Sequence, residues 1–146
     1  MNTDQLKRMS ACADAREWAE SQSNAYTAWR TCPRGDWLMW WLSRAGLARK
    51  TLMLAECDCA RLVLYLVSDG EDRLRVAIET VEAWARGEAT IAQVRIAAPA
   101  ADAAYAAAYA AAYAASAAMH KQCAMAVRKR VGYRTAKALW SQGEAK

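Results

Sequence analysis

Residues 97–118 read AAPAADAAYAAAYAAAYAASAA, and sixteen of these twenty-two residues are alanine. Alanine loses no side-chain entropy in a helix and is the strongest intrinsic helix former. From Ala100 no helix breaker follows before Gly132, so the tract predicts one long helix over about 100–131. Tyr105, Tyr109 and Tyr113 recur every four residues, which sets them on one face as an aromatic ridge. The alanine faces beside it are small enough for neighbouring helices to approach closely. The ridge is a core or groove contact, or a surface for a ligand or partner.

The helical reading extends outward from this tract. In 146 residues there are six glycines and two prolines, too few turn residues for an all-β domain with a turn every 8–12 residues. The expectation is one all-α domain over 1–146, orthogonal or bundle-like, of about six to seven helices. Toward the N-terminus, Leu74, Ala77, Ile78, Val81, Trp84 and Ala85 recur at three and four. Glu71–Arg75, Arg75–Glu79 and Glu82–Arg86 are opposite charges four apart, and Gly87 stands where a C′ glycine stops the helix. Thr90 caps a short helix over 91–96 that ends or kinks at Pro99. Further back, a long helix over 48–67 carries an inward stripe of Leu52, Ala55, Cys59, Leu62, Val63 and Leu66. Helices are also expected over 10–22 and over 23–31, the second capped by Ser23 or Asn24 with Tyr26 and Trp29 inward.

Between them lies a tryptophan-rich core block, 29–42. Pro33 disfavours helix at Cys32, and Asp36 is placed to cap a new helix that Gly46 ends. Its residues Trp37, Leu38, Met39, Trp40, Trp41 and Leu42 are apolar all round, so the helix belongs at the centre of the core, with Trp37 and Trp40 as central packing residues. Arg34 and Asp36, beside indole edges at a helix start, are candidate anchors for a partner protein, because Arg and Trp are frequent hot-spot residues.

The net charge is +5, and its excess is local. The C-terminal end, 120–146, carries seven basic residues against the single acid Glu144. Arg128, Lys129, Arg130, Arg134 and Lys137 are therefore candidate phosphate contacts, with Tyr133 and Trp140 for base stacking, in an alternative reading as a nucleic-acid or nucleotide binder. The longest strongly apolar runs, 37–42 and 62–67, fall far short of the roughly 20 residues that span a bilayer. No membrane partner is expected, and the five cysteines read as reduced thiols of a cytoplasmic protein.

Catalytic chemistry has no visible seat. Cys57 and Cys59 are separated by about 200° around a helix, the wrong geometry for a zinc pair. His120 is the only histidine, with Cys123 one turn on as its one conceivable thiolate partner. No P-loop, dinucleotide glycine pattern, paired-carboxylate motif or nucleophile elbow is present. The expectation is a binding protein and not an enzyme, without metal or cofactor.

Several blocks in fixed order carry a resemblance: Ala11-Cys12-x-x-Ala15-x-x-Trp18, then Ala28-Trp29-x-x-Cys32-Pro33-Arg34-Gly35-Asp36-Trp37-Leu38-x-Trp40, Cys57-x-Cys59-Ala60-Arg61, Trp84-Ala85-Arg86-Gly87-Glu88-Ala89-Thr90, and Ala126-Val127-Arg128-Lys129-Arg130-Val131 after the alanine tract. Over nearly its whole length the chain resembles the small all-helical immunity proteins of bacterial polymorphic toxin systems, a family that also occurs in phage and prophage genomes. The resemblance implies a cytoplasmic protein, in a bacterium or a phage-infected host, that neutralises a protein toxin or a defence-system component by occluding it. It brings no catalytic residues.

Overall fold

The computed structural model describes residues 3–66, 72–99 and 117–144, and among these there is no strand. The helices are α1 (Thr3–Arg8), α2 (Ala13–Glu20), α3 (Ala25–Thr31), α4 (Gly35–Arg44), α5 (Arg49–Arg61), α6 (Arg73–Arg86), α7 (91–99) and α8 (Ala117–Glu144), with a single 3₁₀ turn at Leu64–Leu66. The all-α expectation holds. Residues 100–116, with Tyr105, Tyr109 and Tyr113, lie outside the described residues. No described helix is long and apolar enough to cross a membrane.

Helix α8 is the element on which α3, α4 and α5 all pack, and α6 packs on α5. Its buried side chains are Met119, Cys123, Ala124, Val127 and Val131, then Ala136 and Trp140. The spacing of three to four widens to five across Gly132, whose φ of 70° and ψ of 152° are not helical. Only glycine takes that conformation readily. The break resets the stripe, so both halves of α8 face the same core. The helix expected to stop at Gly132 thus resumes beyond it.

Local chemistry fixes the other boundaries. Asn24 caps α3, its Oδ1 accepting the Thr27 N–H at 2.9 Å, as expected of an N-cap asparagine. Thr90 and Gln93 form a reciprocal capping box at α7, with the Thr90 N–H donating to Gln93 Oε1 at 2.8 Å and the Gln93 N–H to Thr90 Oγ1 at 3.3 Å. α6 closes as expected on Gly87, φ 85°. The helix expected over 10–22 is shorter, and Ser10 ends α1 instead of starting α2. Its φ is 64°, and the Ala11 N–H donates back to the Leu6 carbonyl at 2.9 Å. This is a Schellman closure with serine where glycine is usual, and so no glycine marked it. The helix expected over 48–67 stops at Arg61, leaving Leu66 exposed.

The core block needs one correction. In α4 the buried residues are Gly35, Leu38, Trp41 and Leu42, while Trp37 and Trp40 are half-buried. Trp41 is the central tryptophan, with ring centroids 6.2 Å from Trp29 and 4.9 Å from Trp140. An all-apolar helix does not declare its inward face; the close approach of Gly35 to α8 chooses it. Tyr26, expected inside, is exposed and lies edge-on to Tyr133 at 4.7 Å.

Candidate partner-binding site

The site begins where α3 ends. Cys32 leaves the helical region, φ −52° and ψ 117°, as clash with the following proline ring requires. Arg34 then occupies the N-cap position of α4. Asp36 is not the cap: it is the second residue of the helix, and its carboxylate is taken by Arg34. Arg34 Nε donates to Asp36 Oδ1 at 2.9 Å and Nη2 to Oδ2 at 2.6 Å. The same guanidinium lies over the Trp37 ring, 4.8 Å from its centroid, and Trp37 in turn tilts against Trp18 of α2 at 6.0 Å. Arg34 and Asp36 both keep about a third of their side-chain surface in solvent, 36% and 37%. The two sequence-derived anchors are thus brought together as one fork-to-carboxylate pair on an indole face.

A third member comes from α8 and escaped sequence reasoning. His120 Nδ1 stands 3.7 Å from Asp36 Oδ1, with only 13% of its side chain exposed. Desolvation, with the Arg34 charge adding, holds the imidazole below the ordinary histidine range. Partial burial would raise the Asp36 carboxyl, but the Arg34 hydrogen bonds and charge outweigh it and keep it below the ordinary carboxylate range. At neutral pH the cluster is therefore a carboxylate, a guanidinium and a neutral imidazole. Cys123 does not join it. It is 1% exposed, its Cβ lies against Gly35, and its carbonyl accepts from the Cys59 thiol of α5 at 3.8 Å, so His120 and Cys123 do not make a thiolate pair.

The basic C-terminal residues divide into two groups. Arg128 is drawn inward: its Nη1 donates to the Cys32 carbonyl at 2.8 Å and lies 3.4 Å from that of Trp29. It satisfies carbonyls that the end of α3 leaves without helical partners. Arg130 makes a two-point pair with Asp58 of α5, both contacts at 2.7 Å. Lys129, Arg134 and Lys137 are exposed. Two of the five candidate phosphate contacts thus serve the junctions of α8 with α3 and α5. No sequence-local signal marks these pairings, whose partners lie far along the chain.

Compared with models of protein families, with curated proteins and with solved structures, the chain finds no match.

Proposed function

We propose that the protein is a non-enzymatic binding protein that neutralises a protein toxin or defence-system component in the bacterial cytoplasm by occluding it, with the Arg34–Asp36–Trp37 face as its anchor. The observation that carries this reading is the double immobilisation of Arg34, paired at both ends of its fork with Asp36 and stacked on Trp37 while a third of it remains in solvent. An arginine already held in one geometry loses little rotamer freedom on binding, and this preorganisation is what makes an interface anchor effective. The immunity-protein resemblance, whose best single block is Cys32 to Trp37, supports the same face. A phosphate-binding role for α8 is the weaker reading, because Arg128 is turned inward onto the Cys32 and Trp29 carbonyls and is not open to a phosphate.

The test is capture from a lysate of the native host on immobilised wild-type protein, beside Arg34→Ala and Asp36→Ala. A protein retained by wild type and lost by both variants is then expressed alone and with its captor. The reading requires toxicity or defence activity alone and its suppression in co-expression. Retention by both variants, or suppression that survives Arg34→Ala, contradicts it.

A further inference from the structure

Gln5 is the one polar side chain in the buried set of the described residues, 5% exposed, and its Oε1 has no hydrogen-bond partner. It forms part of the wall of a cleft of about 390 Å³ between α1, the end of α4 and the second half of α8. Arg8, Arg44 and the exposed Gln142 stand in the same wall, and the apolar part is Met9, Ala45 and Leu139. Among the described residues no ion pair engages Arg8 or Arg44. The cleft is remote from the Arg34–Asp36 face, since Asp36 and Arg44 are about 12 Å apart along the α4 axis at 1.5 Å per residue.

These groups define a ligand. Two guanidiniums without carboxylate partners call for an anion, and the planar forks suit a carboxylate. An unpartnered buried acceptor calls for an N–H donor, because leaving it unsatisfied is costly. Oε1 is enclosed in the wall, and a turn about the broad, roughly two-fold terminal amide torsion of glutamine presents it to an entering donor. The apolar wall is aliphatic and offers no ring for a nucleobase to stack on. The volume lies within the roughly 300–1,000 Å³ of small-molecule sites. We propose that this cleft binds an aliphatic α-amino carboxylate, free or at the end of a peptide. The carboxylate sits at Arg8 and Arg44, the α-nitrogen donates to Gln5 Oε1, and the side chain rests on Met9, Ala45 and Leu139.

Calorimetric titration of the full chain with N-acetyl-L-leucine and its carboxamide tests this. The acid should bind at about 1 mM or tighter, with the amide at least about tenfold weaker, and Arg44→Gln should weaken the acid by about tenfold, as loss of a charge-assisted contact does. Gln5→Leu should also weaken binding while the melting temperature of the unliganded protein holds or rises, because an unpartnered acceptor is removed. L-Leucine and a hexapeptide ending in leucine distinguish the two sources, the tighter of them being the natural class. Absence of titration up to about 10 mM of any probe, equal binding of acid and amide, displacement by equimolar inorganic phosphate, or wild-type affinity in Arg44→Gln each overturns the proposal.

Discussion

Gly35 presses on Cys123 so closely that a Cβ built on it would lie 2.6 Å from the Cys123 Cβ and 2.9 Å from the Ala124 backbone nitrogen. The start of α4 therefore lies directly against α8. That contact turns Leu38, Trp41 and Leu42 inward, leaves Trp37 at the surface under Arg34, and sets Asp36 beside His120.

Gly35→Ala tests this frame. Helix propensity alone favours alanine there, so any loss of stability reports packing. Overpacking should cost about 1–3 kcal/mol. Cys123→Ala should not rescue it, because the clash is with the Cβ and backbone of α8 and not with the thiol. Thermal melts of the single and double variants measure both effects, and a Gly35→Ala protein as stable as wild type contradicts the close approach.

The tryptophans should separate by burial. Trp41→Ala removes a ring that contacts both Trp29 and Trp140, and should cost about 3–5 kcal/mol as large core deletions do. Trp37→Ala, half-buried, should cost distinctly less. Denaturant unfolding ranks them, and equal losses would place Trp37 in the core.

How much of this was readable in the sequence depends on range. The caps at Asn24 and Thr90, the C′ glycines at Gly46 and Gly87, and the amphipathic stripe of α6 are local and were legible. α1 was not, because six residues hold too short a period and Ser10 disguises its end. The contacts that assemble the site join residues far apart in sequence: Gly35 with Cys123, Arg128 with Cys32, His120 with Asp36. Even the expected Glu82–Arg86 pair is not formed: Glu82 pairs across to Arg61 of α5, and Arg86 pairs locally with Glu88 just past the end of the helix. Arg34 and Asp36 were legible as candidates because they stand beside tryptophans at a helix start, but their pairing with each other was not.

Acid should weaken the fold in two steps. His120 is held below its ordinary value of 6.5, so as the pH falls below that point the unfolded chain takes up the proton first and stability declines until the folded imidazole titrates. Asp36, held below 3.8, contributes stability above that value, lost as the pH drops through its folded pKa. His120→Gln should flatten the upper step in melting temperature against pH. Asp36→Asn should deepen it, since the neighbouring carboxylate favours the protonated imidazole, and Arg34→Ala should make it shallower. An upper step unchanged in all three variants would remove His120 from the cluster.

Thiol reactivity should single out Cys12, the exposed cysteine; Cys32, Cys57, Cys59 and Cys123 are buried. Burial pushes the Cys32 thiol up to about 11 and Cys57 up to about 12, and Cys59 is raised by its hydrogen bond to Cys123 and by burial; Cys123 is lowered by that hydrogen bond but is shielded from reagent at 1% exposure. Thiolate is the reactive form. An aromatic disulfide reagent should therefore modify one thiol rapidly in the native protein and all five after denaturation. Two or more fast thiols would contradict the packing around α8.

The central claim is that affinity resides in the Arg34–Asp36–Trp37 face and not in the exposed cations of α8. Dissociation constants of the captured partner for wild type, Arg34→Ala and a Lys129→Gln/Arg134→Gln/Lys137→Gln triple variant, at low and physiological salt, test it most directly. Loss of a hot-spot side chain costs about 2 kcal/mol or more, so Arg34→Ala should bind at least about thirtyfold more weakly, with a fall in melting temperature far smaller than that of Trp41→Ala. The triple variant should stay within a few-fold of wild type, its effect falling on the association rate and fading with salt. The opposite ranking would contradict the account. So would nanomolar nucleic-acid binding whose salt slope falls by about three in the triple variant.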